Sequence, residues 1–105
     1  MPVVRILPPK GAVNEDVFAG YRRGPLVLAA DMRVTDPTAV LDVVCDANGH
    51  VSATLADCPE IPEARICVSV PLADGTQVRL IDYASAGKTY DETSKCAAWL
   101  YRKQA

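Results

Sequence analysis

The sequence predicts an all-β domain, an antiparallel β-sandwich of about seven to eight strands, on three observations. The first is the stretch Arg23–Val34, where Leu26, Leu28, Ala30, Met32 and Val34 fall at alternate positions and so share one face of an extended chain. The other two are a pair of hairpins, each with an apolar alternation that demands a three-residue loop ending in glycine.

The Arg23–Val34 stretch reads as a central strand. Val27 and Ala29 make its second face apolar before Asp31 and Arg33 turn that face polar, so the strand is expected to run from the interior into solvent. Gly24-Pro25 marks its start, because proline has no N–H to give a ladder and is tolerated at a strand's first residue. Ahead of it, Val3–Leu7 reads as a short strand stopped by Pro8-Pro9; Val17–Tyr21 allows a helical turn at 14–20, but Gly20 and the aromatics favour a strand.

In the first hairpin Leu41, Val43 and Cys45 alternate, as do Val51, Ala53 and Leu55. A loop of Asn48-Gly49 alone would set Val43 against Thr54 and oppose the two apolar faces. A loop of residues 47–49 instead pairs Cys45 with Val51, Val43 with Ala53 and Leu41 with Leu55, because one residue of slip flips every side chain. In the second hairpin, loop Ala73-Asp74-Gly75 sets Leu72 opposite Thr76, Val70 opposite Val78 and Val68 opposite Leu80. Gly49 and Gly75 then occupy the left-handed position that such loops require. Residues 56–63, with Pro59 and Pro62, read as a crossing loop. For Cys96–Tyr101 propensity alone allows a helix, but the all-β neighbourhood favours a last strand, with Trp99 largely buried.

The bulk numbers narrow the function classes. The chain's 105 residues, half of them apolar and 23% charged, make residues 1–105 a single globular domain. A net charge of −2 and no run of more than two basic residues argue against nucleic acid and an anionic membrane as partners. No apolar run is long enough for a membrane span. Met1–Arg5 lacks the features of an export signal, and a cytoplasmic location is expected. Cysteines 45, 58, 67 and 96 have neither C-x-x-C nor C-C spacing, so no metal and no cofactor are expected. Cys45 and Cys67 lie in apolar strand patterns, where cysteine acts as a small hydrophobe, so reduced, buried thiols are expected, with disulfides as the alternative.

Few residues offer chemistry. His50, the one histidine, falls opposite Asp46, with Ser52 nearby; a solvent-facing cross-strand pair accounts for it. A Ser52–His50–Asp46 set lacks any nucleophile-elbow sequence. Asp57, Glu60 and Glu63 in one loop, and Asp91 and Glu92 in another, are the carboxylates that could flank a glycosidic bond, although surface loops carry acids for solubility. Phe18, Tyr21, Tyr83, Tyr90, Trp99 and Tyr101 could stack on sugars. No catalytic residue is assigned.

Two segments carry a family resemblance. Arg23-Gly24-Pro25-Leu26-Val27-Leu28-Ala29-Ala30 resembles the R-G-P-L-V stretch in the C-terminal β-sandwich region of glycoside hydrolase family 127, the β-L-arabinofuranosidase type. Val78–Gly87 followed by Cys96-Ala97-Ala98-Trp99-Leu100 is similar to that region's closing stretch, and the likeness spans residues 3–101. In that family an (α/α)₆ barrel carries the activity, through a cysteine nucleophile beside a zinc held by Cys and Glu residues. This chain has no adjacent cysteine pair, so no catalytic residue transfers. The resemblance implies a non-catalytic accessory domain, either a fragment or a free-standing relative, whose partner is the catalytic barrel. The alternative is a carbohydrate-binding module using exposed aromatics. Residues 83–95 are the expected docking face, with Tyr83 and Tyr90 beside the small residues Ala84, Ser85, Ala86 and Gly87. Weak homodimerisation through the same face is expected.

Overall fold

The computed structural model describes residues 2–12, 15–87 and 95–103. Among the described residues the strands are β1 (Val3–Ile6), β2 (Phe18–Arg23), β3 (Leu26–Asp31), β4 (His50–Val51), β5 (Thr54–Leu55), β6 (Cys67–Pro71), β7 (Gln77–Asp82), β8 (Cys96–Ala97) and β9 (Leu100–Tyr101), with a 3₁₀ turn at Tyr83–Ser85. They form one antiparallel sheet in the order β4-β1-β2-β3-β7-β6-β5, with β8 on β3 and β9 on β2, curled into a half-barrel. The all-β antiparallel class therefore holds. Among the described residues no helix is long and apolar enough to cross a membrane.

Strand alternation gives the sheet two apolar faces. Leu28, Ala30, Val68, Val70 and Leu80 point to one, where they pack with Val3, Tyr21, Leu41, Val43 and Leu100. Ala29, Cys67 and Ile81 point to the other and pack with Ile61 and Ala86. β3 is central because both of its faces are covered: Leu28, Ala29, Ala30 and Asp31 are all fully buried. Burial pushes the Tyr21 hydroxyl up to about 12.

The second hairpin has the expected register, with Val70 against Val78 and Val68 against Leu80. The Leu72 N–H donates to the Thr76 carbonyl at 2.8 Å, and Gly75 sits at φ +89°. The first hairpin is half right. The Asp46 N–H donates to the His50 carbonyl at 2.9 Å, and Gly49 is left-handed at φ +80°, so the 47–49 loop forms. The ladder ends there. Val51 pairs with Val3 and Leu55 with Val68, so both halves of the returning segment are taken by other strands.

Leu41 and Val43 still enter the core, at 4% and 5% exposure. Their segment finds backbone partners elsewhere: the Leu41 N–H donates to Tyr101, the Val44 N–H to Pro71, and the Asp42 carbonyl accepts from Ala73. Leu55, expected to face inward, is exposed.

Two further expectations are corrected. β3 stops at Asp31 rather than running to Val34, because the Val34 and Thr35 N–H groups both turn back to the Asp31 carbonyl at 2.9 Å; Met32 is left exposed. The last strand breaks in two at Ala98-Trp99. Beyond the Tyr21–Leu28 pair, β2 and β3 splay apart, and the chain fills the gap by pairing first with β3 (Ala30–Ala97) and then with β2 (Ala19–Leu100). Crossing from one to the other requires the bend.

Candidate functional site: the Trp99 groove

The bend between β8 and β9 turns Trp99 outward, so it is 45% exposed and not largely buried as the sequence suggests. Its six-membered ring lies on Gly20. A Cβ at that position would come within 3.3 Å of an indole carbon, so only glycine lets the ring sit this close. Beside it, Phe18 and Tyr101 face each other across the β2–β9 ladder, their ring centroids 4.8 Å apart and tilted by 40°. Phe18 and Trp99, with Pro8, Pro9 and Ala12, line an open groove of about 350 Å³. Two prolines, which lack a donor, and two aromatic rings give this groove a mainly apolar wall.

Of the expected docking residues, Tyr83 is exposed on its 3₁₀ turn, whereas Tyr90, like Asp91 and Glu92, lies outside the described residues. Of the small residues after Tyr83, Ala84 is exposed, Ser85 and Ala86 turn inward and Gly87 is half-buried. Ser85 is buried and donates to the Asp82 carboxylate at 2.7 Å and to the Glu63 carbonyl at 3.1 Å. Ala86 sits in the second core cluster, and the Gly87 N–H donates to Asp31 at 2.9 Å. Trp99 and Tyr83 are the exposed aromatics among the described residues.

Two of the loop carboxylates, Glu60 and Glu63, are committed to arginines. Arg79 donates to both oxygens of Glu60, at 3.0 and 2.5 Å, and this fork holds the Glu60 carboxyl down at about 2. Arg33 donates to Glu63 at 2.8 Å, which also lowers the Glu63 carboxyl. A general acid for glycoside cleavage needs its carboxyl raised instead. The pairing thus opposes the role that spacing alone left open for Glu60 and Glu63.

His50 stands 3.9 Å from Asp46, and both are more than half exposed. The other Asp46 oxygen accepts from the Asn48 and His50 amides at 2.8 and 2.9 Å, which closes the loop and lowers the Asp46 carboxyl. This carboxylate shapes a turn. A larger depression of about 550 Å³ follows β3, between Met32–Thr38 and Lys95. Its hydroxyls are already engaged, Thr35 donating to the Arg79 carbonyl and Thr38 to Asp36, both at 2.7 Å.

Cys45, Cys58 and Cys67 carry free thiols. Among the described residues no three His, Cys, Asp or Glu side chains converge as a metal site requires. The sequence missed the groove because a lone tryptophan in an apolar strand reads as core. Gly20, two residues from Phe18 and out of place in a strand interior, was the available signal. No protein-family model, curated protein or solved structure matches the chain.

Proposed function

We propose that this chain is a non-catalytic accessory β-domain that packs against the catalytic barrel of a glycoside hydrolase of the β-L-arabinofuranosidase type. The family in this reading rests on the resemblance carried by Arg23–Ala30, Val78–Gly87 and Cys96–Leu100. The single structural observation that supports docking is the half-exposed Trp99, laid on Gly20 at the mouth of an apolar groove. An anchor of this kind, held in place before the partner arrives, loses little side-chain freedom on binding.

The test is a titration of the chain into an (α/α)₆ barrel from a family 127 enzyme stripped of its own C-terminal region. Saturable one-to-one binding, weakened by Trp99→Ala, is the expected result. Absence of binding overturns the proposal. The exposed indole also favours a second reading, a carbohydrate-binding module. Arabinose oligosaccharides that quench Trp99 fluorescence, in the absence of any barrel binding, would select that reading.

A further inference from the structure

The loop that carries Glu60 and Glu63 also brings two cysteines together. Leu55–Val68 is the last ladder pair between β5 and β6, and the Ala56 N–H extends that register by donating to the Cys67 carbonyl at 2.9 Å. Cys58 follows two residues on, which returns it to the face of Ala56 and diagonally across from Cys67. A turn closed by the Ile61 N–H on the Cys58 carbonyl, 3.1 Å long, keeps it there, as does Arg79, which donates to the neighbouring Asp57 carbonyl at 3.0 Å.

Both side chains pack on the Ile61–Ile81 cluster, and the neighbouring Cys58 thiol adds to the burial that raises the Cys67 thiol. Cys67 is buried, while Cys58 is partly exposed. The Arg79 guanidinium lies close enough for its charge to act on both sulfurs. Cys45, by contrast, packs on the opposite face of the sheet.

We propose that Cys58 and Cys67 form an intramolecular disulfide when the chain meets a small-molecule disulfide such as oxidised glutathione, so that the 57–66 loop works as a redox-closed clasp. Cys58, the more accessible thiol, gives its proton to solvent and attacks one sulfur of the oxidant. The oxidant's S–S bond breaks, one glutathione thiolate leaves, and a mixed disulfide forms on Cys58. Cys67 then loses its proton and attacks the Cys58 sulfur, expelling the second glutathione. Two protein thiols are oxidised to one disulfide, and the oxidant is reduced to two thiols.

The Arg79 charge favours the Cys67 thiolate. Burial pushes the Cys67 thiol up to about 11, so ring closure depends on its position beside Cys58 more than on its thiolate fraction. Closing the 58–67 ring restricts the unfolded chain and stabilises the folded one.

The experiment compares the full chain equilibrated in reduced and in oxidised glutathione, then denatured and alkylated. Oxidation is expected to remove two of the four alkylatable cysteines and to raise the thermal midpoint. Trypsin should release Val34–Arg65 joined to Ile66–Arg79, and fragmentation should place the link on Cys58, not on Cys45. Cys58→Ser should lose both the link and the rise in midpoint; if that variant does not fold, the peptide map of the unaltered chain decides alone. A link to Cys45 or Cys96, four reactive thiols after oxidation, or a glutathione adduct that stays on Cys58 would each overturn the clasp.

Discussion

Arg33 grips the fully buried Asp31 carboxylate from two residues away, its Nε 3.0 Å from Oδ1 and its Nη2 2.9 Å from Oδ2. The arginine's remaining Nη1 reaches Glu63 in the crossing loop, and Gly87 donates to the same aspartate. One buried charge at the end of β3 thus ties together the turn after the strand, the 56–66 loop and the segment after the 3₁₀ turn. A second does related work on β7: Asp82 accepts from the Arg65 and Ile66 amides at 2.7 and 3.2 Å and from Ser85 at 2.7 Å. Neither strand could end in a buried carboxylate unless such donors were supplied, because an unpaired charge there is strongly unfavourable.

Arg33→Met is therefore expected to destabilise the fold by about 3 kcal/mol, the low end for breaking a buried pair, since the Gly87 and Arg33 amides still reach Asp31. Urea denaturation measures it. A loss below about 1 kcal/mol, the range of a surface pair, would show that Asp31 is adequately held by the amides alone.

Acid should unfold the domain through the same two groups. Hydrogen bonds hold the Asp31 and Asp82 carboxyls below their ordinary value despite burial. A carboxyl lowered in the folded state adds stability that is fully present above its unfolded value of about 3.9, and that is lost as pH falls through the folded value. Stability is expected to be level in these groups' contribution from pH 7 to about 5 and to fall below about 4. Urea midpoints across that range should show the drop, and Asp82→Asn should flatten it. An unchanged acid slope in that variant would remove Asp82 from the account.

How much of this the sequence disclosed follows from how local each signal is. The Val68–Leu80 register was legible because hairpin partners are close in sequence and Gly75 fixes the turn. The fate of Val51 and Leu55 was not, since their partners Val3 and Val68 are set by the whole sheet. Alternation marked Asp31 as the polar exit of its strand; the arginine and glycine donors that let it be buried come from the following turn and from Gly87, far along the chain. The apolar positions Leu41 and Val43 were found, but their backbone partners were not. Trp99 was misplaced because the break between β8 and β9 arises from the splaying of β2 and β3, which no pattern within residues 96–101 encodes.

Gly75→Ala isolates the cost of the turn. Gly75 sits at φ +89°, and an added Cβ would meet nothing within 4 Å, so the penalty is backbone strain alone. It should be about 1–2 kcal/mol. Gly75→Asn, which tolerates the left-handed region better, should cost less. Equal losses for the two variants, read from thermal melts, would point to a contact rather than to the backbone.

Gly20→Ala tests whether the Trp99 anchor depends on its seat. The new Cβ would press to within 3.3 Å of the indole, tighter than ordinary contact, and the ring, open to solvent on its far side, is the part free to give way. Moving a half-exposed side chain disturbs little core, so the stability change should stay within about 1 kcal/mol. The visible effect should be on the indole: greater quenching by acrylamide and a red-shifted emission, with the fold intact by circular dichroism. Barrel binding, in the titration proposed above, should weaken in parallel, because the ring no longer waits in one orientation. Trp99→Ala supplies the reference, removing the fluorescence and the anchor together. If Gly20→Ala left the quenching of Trp99 unchanged, the glycine would be a strand residue with no part in holding the groove.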